Sequence, residues 1–244
     1  MTQPRASFES DLLKSIKACI ANCDRLLEET YDIEFRRPSS TRMYISMIAQ
    51  EEAAKGFILF LVREDIMPFT SAIRRAIKDH TAKQLVGVLM DYMIMHWEDL
   101  AELDAALQVD IASGENLPVD ISSAVELLCY EKIGKWMGHS WNWVEDPEYD
   151  KLVEKIAQGH IDRRKQDALY VRIGRTGQVA STPAIISHEE TMAEFSRANR
   201  YSNFVERLIE EGPAKVAARA RFDKVIEALR LHFGTKWVRE GKGD

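Results

Sequence analysis

Apolar positions recur at helical spacing through most of this chain. Between Phe8 and Glu29, the residues Leu12, Leu13, Ile16, Ile20, Leu26 and Leu27 fall near a 3.6-residue period. That spacing predicts an amphipathic helix with Ser7 or Ser10 as its N-cap. Tyr31 to Pro38 interrupts the pattern, and Ser39 or Ser40 is placed to cap a second helix running to about Arg63. After Lys55 this helix is apolar on most of its surface, as expected of an element surrounded by others. Pro68 closes the next connection, and Thr70 or Ser71 can cap a third helix carrying Arg74, Arg75 and His80. Gln84 to Leu107 is apolar and Met-rich on one face and acidic on the other.

The second half is less regular. Ala112 to Val119 reads as a loop, and a helix is expected from Ser122 to about Met137. Trp136 to Tyr149 reads as a packed irregular connection, followed by a short helix near Lys151 to Gln158. Ala168 to Ile173 switches to period-two spacing. With the turn Gly174 to Gly177 and the run Gln178 to Ala180 it predicts a β-hairpin, closed by Pro183. Two helices, about Ser187 to Glu211 and Pro213 to Leu231, complete an all-α fold with one minor hairpin.

Composition narrows the class without naming an activity. The 244 residues are 45% apolar, enough to bury a core, and the net charge of −6 argues against indiscriminate coating of nucleic acid. Cys19, Cys23 and Cys129 make an odd set without disulfide spacing, and Cys19 and Cys23 read as small core residues. No apolar run is long enough to span a membrane and no signal peptide opens the chain, so a cytoplasmic protein is expected.

Charge is densest between Ser39 and Lys83. Glu51-Glu52-Ala53-Ala54-Lys55 pairs an acid and a base four apart, the favourable order for a helix ion pair. The motif runs into the apolar segment Phe57 to Leu61, so one of its charges is expected to be semi-buried and to need a fixed partner. Arg74, Arg75, His80 and Lys83 are the available candidates. Arg75 and His80 are five apart, which on one continuous helix turns them away from each other; a helix end between them can aim both at one point. A guanidinium for phosphate oxygens and an imidazole for protons suit metal-free cleavage of RNA. A solvated helix face accounts for the same spacing.

Other clusters carry less. A di-iron bundle needs Glu-x-x-His pairs, and the chain contains none; His139 and His160 fall in expected loops. No metal or cofactor is therefore expected. Arg163-Arg164-Lys165, with Arg172 and Arg175, would make either a phosphate-attracting strip or a solvated charge run. Trp136, Trp141 and Trp143 suit a core or base stacking, and Met90, Met93 and Met95 a core or a dimer face.

Taken in order, three blocks resemble the AbiV family of abortive-infection proteins: Glu51-Glu52-Ala53-Ala54-Lys55, Asp79-His80-x-x-Lys83, and Lys165 to Val171 with Pro183 behind it. That family belongs to the HEPN superfamily of helical proteins, several of which are metal-independent ribonucleases with an Arg-x4–6-His site completed across a homodimer. The resemblance covers about Tyr31 to Pro183 and implies a HEPN-like helical bundle with a small hairpin; the expected domain spans residues 1–186, with a C-terminal helical extension over 187–244, outside the resemblance, packed on it. It implies a catalytic His80 with Arg75 or Arg74 as phosphate binder. Glu51, Glu52, Lys55, Asp79 and Lys83 become supporting or substrate-contacting groups. The expected partners are a second copy of the chain and RNA or a phage protein. The alternative is a non-catalytic helical interaction protein in which Glu51, Lys55 and His80 form a buried polar lock.

Overall fold

The computed structural model describes residues 5–95, 119–138 and 148–210, apart from the side chain of Ser122. These residues are mostly helical with one small antiparallel two-stranded sheet, so the all-α expectation holds. Helix α1 spans Arg5–Glu29 and α2 spans Ser40–Arg63. The short α3, Ser71–Ala76, is followed by α4, His80–Met95. Helix α5, Val119–Glu126, continues as a π-helical segment over Leu127–Gly134. Helices α6 (Lys151–Ala157) and α7 (His160–Asp167) precede strands β1 (Arg172–Ile173) and β2 (Val179–Ser181), and α8 spans His188–Glu210. The part of the expected Gln84-to-Leu107 helix beyond Met95, the loop after Ala112, His139, Trp141 and Trp143, and the Pro213-to-Leu231 helix lie outside the described residues.

Helix α2 is the centre, packed by α1, α4 and α8. Its second half explains why: every residue from Phe57 to Val62 is buried, on all sides of the helix. Such a helix has no polar face to give to water and must be enclosed. It ends with Asp65 in the left-handed region at φ 56. There the Ile66 amide donates to the Leu61 carbonyl at 2.9 Å and the Asp65 amide to Val62 at 3.1 Å, the paired bonds of a Schellman stop.

Helix α8 belongs to the same core, contributing Ala198, Tyr201, Phe204, Val205 and Leu208 to it. Polar contacts fix its entry along α2. Ser39, rather than capping α2 with its side chain, donates to the Thr191 hydroxyl at 3.1 Å. The Arg42 guanidinium is buried over the Phe195 ring at 4.3 Å, and the Gln50 amide donates to the Glu194 carbonyl at 2.9 Å. Cys19, Cys23 and Cys129 are buried thiols, and burial pushes Cys23 up to about 12.

Two expected elements differ. The single helix meant to carry Arg74, Arg75 and His80 is two helices. Thr70 caps α3 by accepting from the Ile73 amide at 3.3 Å, and Asp79 caps α4 by accepting from the Ala82 amide at 2.8 Å. A short polar side chain that satisfies a free helix amide starts a new helix rather than continuing the old one. The second difference is α7: His160 does not sit in a loop but opens a helix. Gly159, at φ 77, takes the left-handed turn that separates it from α6.

Candidate functional site

The site is built around one carboxylate. Glu51 lies on α2, 5% exposed, with the buried apolar Met47 and Ala54 one turn before and after it on the same helix. A carboxylate there requires fixed partners, and three converge on it. Lys83, from the first turn of α4, donates to Glu51 Oε2 at 2.8 Å. Lys165, from the last turn of α7, donates to Glu51 Oε1 at 2.6 Å. His80, the first residue of α4, places Nδ1 2.5 Å from Glu51 Oε2. Lys165 also pairs with Asp162, one turn earlier on α7, at 2.9 Å.

Burial alone would raise the Glu51 carboxyl, but the hydrogen bonds from Lys165 and Lys83 outweigh it and hold the group below its ordinary range. The same balance keeps Lys165 charged: burial pulls it down, and its bonds to Glu51 and Asp162 push it above the ordinary lysine range. Asp162 is lowered, its own burial being overcome by the bond and charge of Lys165. Glu51 and Asp162 therefore balance Lys83 and Lys165, and the buried cluster carries no net charge beyond that of the imidazole.

This balance fixes the chemistry open to His80. A carboxylate 2.5 Å from Nδ1 demands a proton between them, and with Glu51 ionised that proton sits on Nδ1. Lys165 Nζ, 3.1 Å from the same nitrogen, is then a charge neighbour rather than a donor. The basic lone pair is left on Nε2, which makes no hydrogen bond among the described residues. The His80 side chain is 51% exposed, against 7% for Lys83 and 4% for Lys165. A buried, neutralised base thus holds an accessible imidazole in one tautomer, the requirement for a general acid–base group.

Glu51, His80 and Asp162 also bring three ligand atoms within 4.8 Å of one another, as a metal site would. The Lys165 ammonium, bonded to both carboxylates and 3.1 Å from Nδ1, already supplies positive charge to this group. A divalent ion drawing on all three ligands would compete with that ammonium for the same oxygens.

The remaining expected residues fall in three places. Asp79 acts on the site indirectly, as the cap that positions His80 and Lys83. Glu52 and Lys55 pair with each other at 2.5 Å, on the side of α2 that faces Cys19 of α1. Lys55 thus takes Glu52, three apart, rather than Glu51, because Glu51 is committed to cations from α4 and α7. Arg75 and Arg74 are exposed at the end of α3, over the Trp136 ring at 4.9 Å and the Phe69 ring at 6.0 Å. Neither forms an ion pair with the Glu51 cluster among the described residues.

The basic run does not form a strip. Arg164 makes a two-pronged bond to Glu190 of α8 at 2.7 and 2.6 Å, Arg172 makes one to Asp167 at 2.8 and 2.9 Å, and Lys165 points inward. Lys165 and Asp162 as site residues were missed by their chemistry alone. The signal was a helical period, Ile161, Lys165 and Ala168, with a lysine at the inward position. Compared with protein-family models, curated proteins and solved structures, the chain matches none of them.

Proposed function

We propose that the chain is a phage-defence protein of the AbiV kind that cleaves RNA without a metal, with His80 as its acid–base residue. One observation carries this reading: Glu51, His80 with Lys83, and Lys165 come from three separate stretches of sequence and meet in one cluster. These are the three blocks in which the resemblance to that family resides. In the proposed reaction Nε2 of His80 takes the proton of a ribose 2′-hydroxyl. The 2′-oxygen bonds to phosphorus, the bond from phosphorus to the 5′-oxygen breaks, and a 2′,3′-cyclic phosphate and a 5′-hydroxyl result. Glu51 stabilises the imidazolium that forms. His80 of a second copy, in a homodimer, gives the leaving oxygen its proton. Arg75, exposed on Trp136 at the other side of the α3–α4 break, is the cation proposed to meet the phosphate.

The test is incubation of the purified chain with mixed RNA in excess chelator. Cyclic-phosphate ends are expected, and His80→Ala is expected to lose about 100-fold or more of the rate while melting as the parent does. Cleavage that stops with chelator, or that survives His80→Ala, rejects the assignment.

A second reading has an observation of its own. Neither Arg74 nor Arg75 joins the Glu51 cluster, and three of its members are buried. This favours a polar lock in a non-catalytic protein that binds a phage or translation component. His80→Ala would then lower the melting temperature and remove no turnover.

A further inference from the structure

A cavity of about 230 Å³ lies behind the Glu51–Lys83 pair, between α2 and α4, with α6, α7 and α8 closing its other sides. It is smaller than the about 300–1,000 Å³ typical of drug-sized ligands, which limits an occupant to about one ring system. Met43, Met47, Val88, Ile156 and Ile161 supply apolar walls. Methionine packs well against aromatic edges and faces.

The charges around it exclude a phosphate as the occupant. Its cations are already paired: Lys83 with Glu51 at 2.8 Å, Arg164 with Glu190 at 2.6 Å and Arg197 with Glu194 at 3.1 Å. Asp91, 3.5 Å from Arg197, adds one more carboxylate to the lining. A neutral, flat, hydrogen-bonding ligand is what such a lining accepts.

Gln84 points to the class. It lines the cavity one helical turn after His80, and both atoms of its amide are buried without a partner among the described residues. A buried amide left unpaired destabilises the fold unless something bonds it. A glutamine presents a donor beside an acceptor, the complement of a nucleobase edge. We infer that this cavity is a base-binding subsite, taking one nucleobase of the RNA strand whose phosphate lies at His80, with the covered Gln84 amide rotating into the cavity to read its edge. The inference rests on the ribonuclease reading for the phosphate and on the cavity for the base.

The experiment measures binding of the four ribonucleosides, and of ribose 5-phosphate, to the full chain by ligand-observed NMR. Saturable binding of at least one nucleoside is expected, with no binding of ribose 5-phosphate at the same concentration. Gln84→Met keeps the side-chain volume and removes both polar atoms. It is expected to weaken nucleoside binding at least tenfold while leaving the melting temperature unchanged or higher. The inference is overturned if no nucleoside binds, if ribose 5-phosphate binds equally, or if Gln84→Met binds like the parent. A large fall in melting temperature in Gln84→Met also overturns it, because the amide would then be a structural group. Nucleoside binding that persists in His80→Ala, in a chain that cuts no RNA, rejects the ribonuclease and leaves the base pocket standing. His80-dependent cleavage without nucleoside binding does the reverse.

Discussion

Glu51 and Glu52 are neighbours in sequence and opposites in environment. One step along an α-helix turns a side chain by about 100°, from 3.6 residues per turn. That step moves a carboxylate from the α4–α7 side of α2 to the α1 side. Glu51 is buried with three basic groups around it; Glu52 is half-buried, with Lys55 at 2.5 Å. Local sequence pairs Lys55 with Glu51, four apart, whereas in the structure Lys55 pairs with Glu52. What separates the two carboxylates is the supply of cations from distant segments, and only the buried one can fix a histidine.

The largest effect is therefore expected at Glu51. Glu51→Ala leaves the Lys83 ammonium buried with no ion-pair partner among the described residues, and leaves Lys165 with Asp162 alone. Breaking a buried pair from one side costs about 3–5 kcal/mol, to be read in urea unfolding. A loss below 1 kcal/mol would mean that water reaches the cluster.

The pH dependence sharpens the same point through Glu51→Gln, which keeps the shape. The folded Glu51 carboxyl lies below its ordinary 4.5. Its stabilisation is therefore complete above that value and is lost as pH falls through the folded one. Lys165 is raised above 10.5, so its contribution is complete below that value and is lost as pH rises through the folded one. The stability gap between parent and Glu51→Gln is expected to be flat between these limits and to close in acid. A gap that persists unchanged in strong acid contradicts the ionised Glu51.

The sequence made α2 legible because burial on all sides leaves an unbroken apolar run, Phe57 to Leu61, that needs no knowledge of partners. Glu51, His80 and Lys83 were also within reach, since a charged motif entering such a run must be answered by charge. The α3–α4 break was open in the sequence, as one way to bring Arg75 and His80 together, but could not be placed, because Asp79 is both a polar surface residue and a helix cap until its neighbour's amide is known to need one. Lys165 was hidden for a related reason. In Arg163-Arg164-Lys165 three cations share one composition and have three fates: exposed, paired to Glu190, and buried on Glu51. Only the register of α7 distinguishes them. Arg75 shows the limit in the other direction, where spacing from His80 suggested a shared point and the indole of Trp136 holds the guanidinium instead.

Asp162 tests how much of the cluster α7 controls. Asp162→Asn removes one of two carboxylates from Lys165 and leaves Glu51 in place, so about 1 kcal/mol is expected, well below the Glu51 effect. Because Glu51 keeps its bond to His80, cleavage is expected to persist. If Asp162→Asn abolishes cleavage, the acid is part of the chemistry rather than a partner of Lys165. Arg75→Ala divides stability from activity differently. An exposed cation–π contact is worth about 0.5–1 kcal/mol, so folding changes little. The proposed phosphate role requires the Michaelis constant for RNA to rise, and an unchanged constant removes Arg75 from the site.

The smallest effect returns to the other face of α2. Helix pairs of the Glu52–Lys55 kind contribute about 0.2–0.5 kcal/mol. The double-mutant cycle of Glu52→Ala with Lys55→Ala isolates that coupling, since each single change also removes packing against α1. The matching cycle of Glu51→Gln with Lys83→Met isolates a pair whose members are 5% and 7% exposed. Its coupling is expected to exceed the first severalfold, because solvent screens one pair and not the other. Added salt should shrink the Glu52–Lys55 coupling and leave the Glu51–Lys83 coupling nearly constant. Equal couplings with equal salt dependence would place both carboxylates in the same environment and dissolve the distinction on which the role of His80 rests.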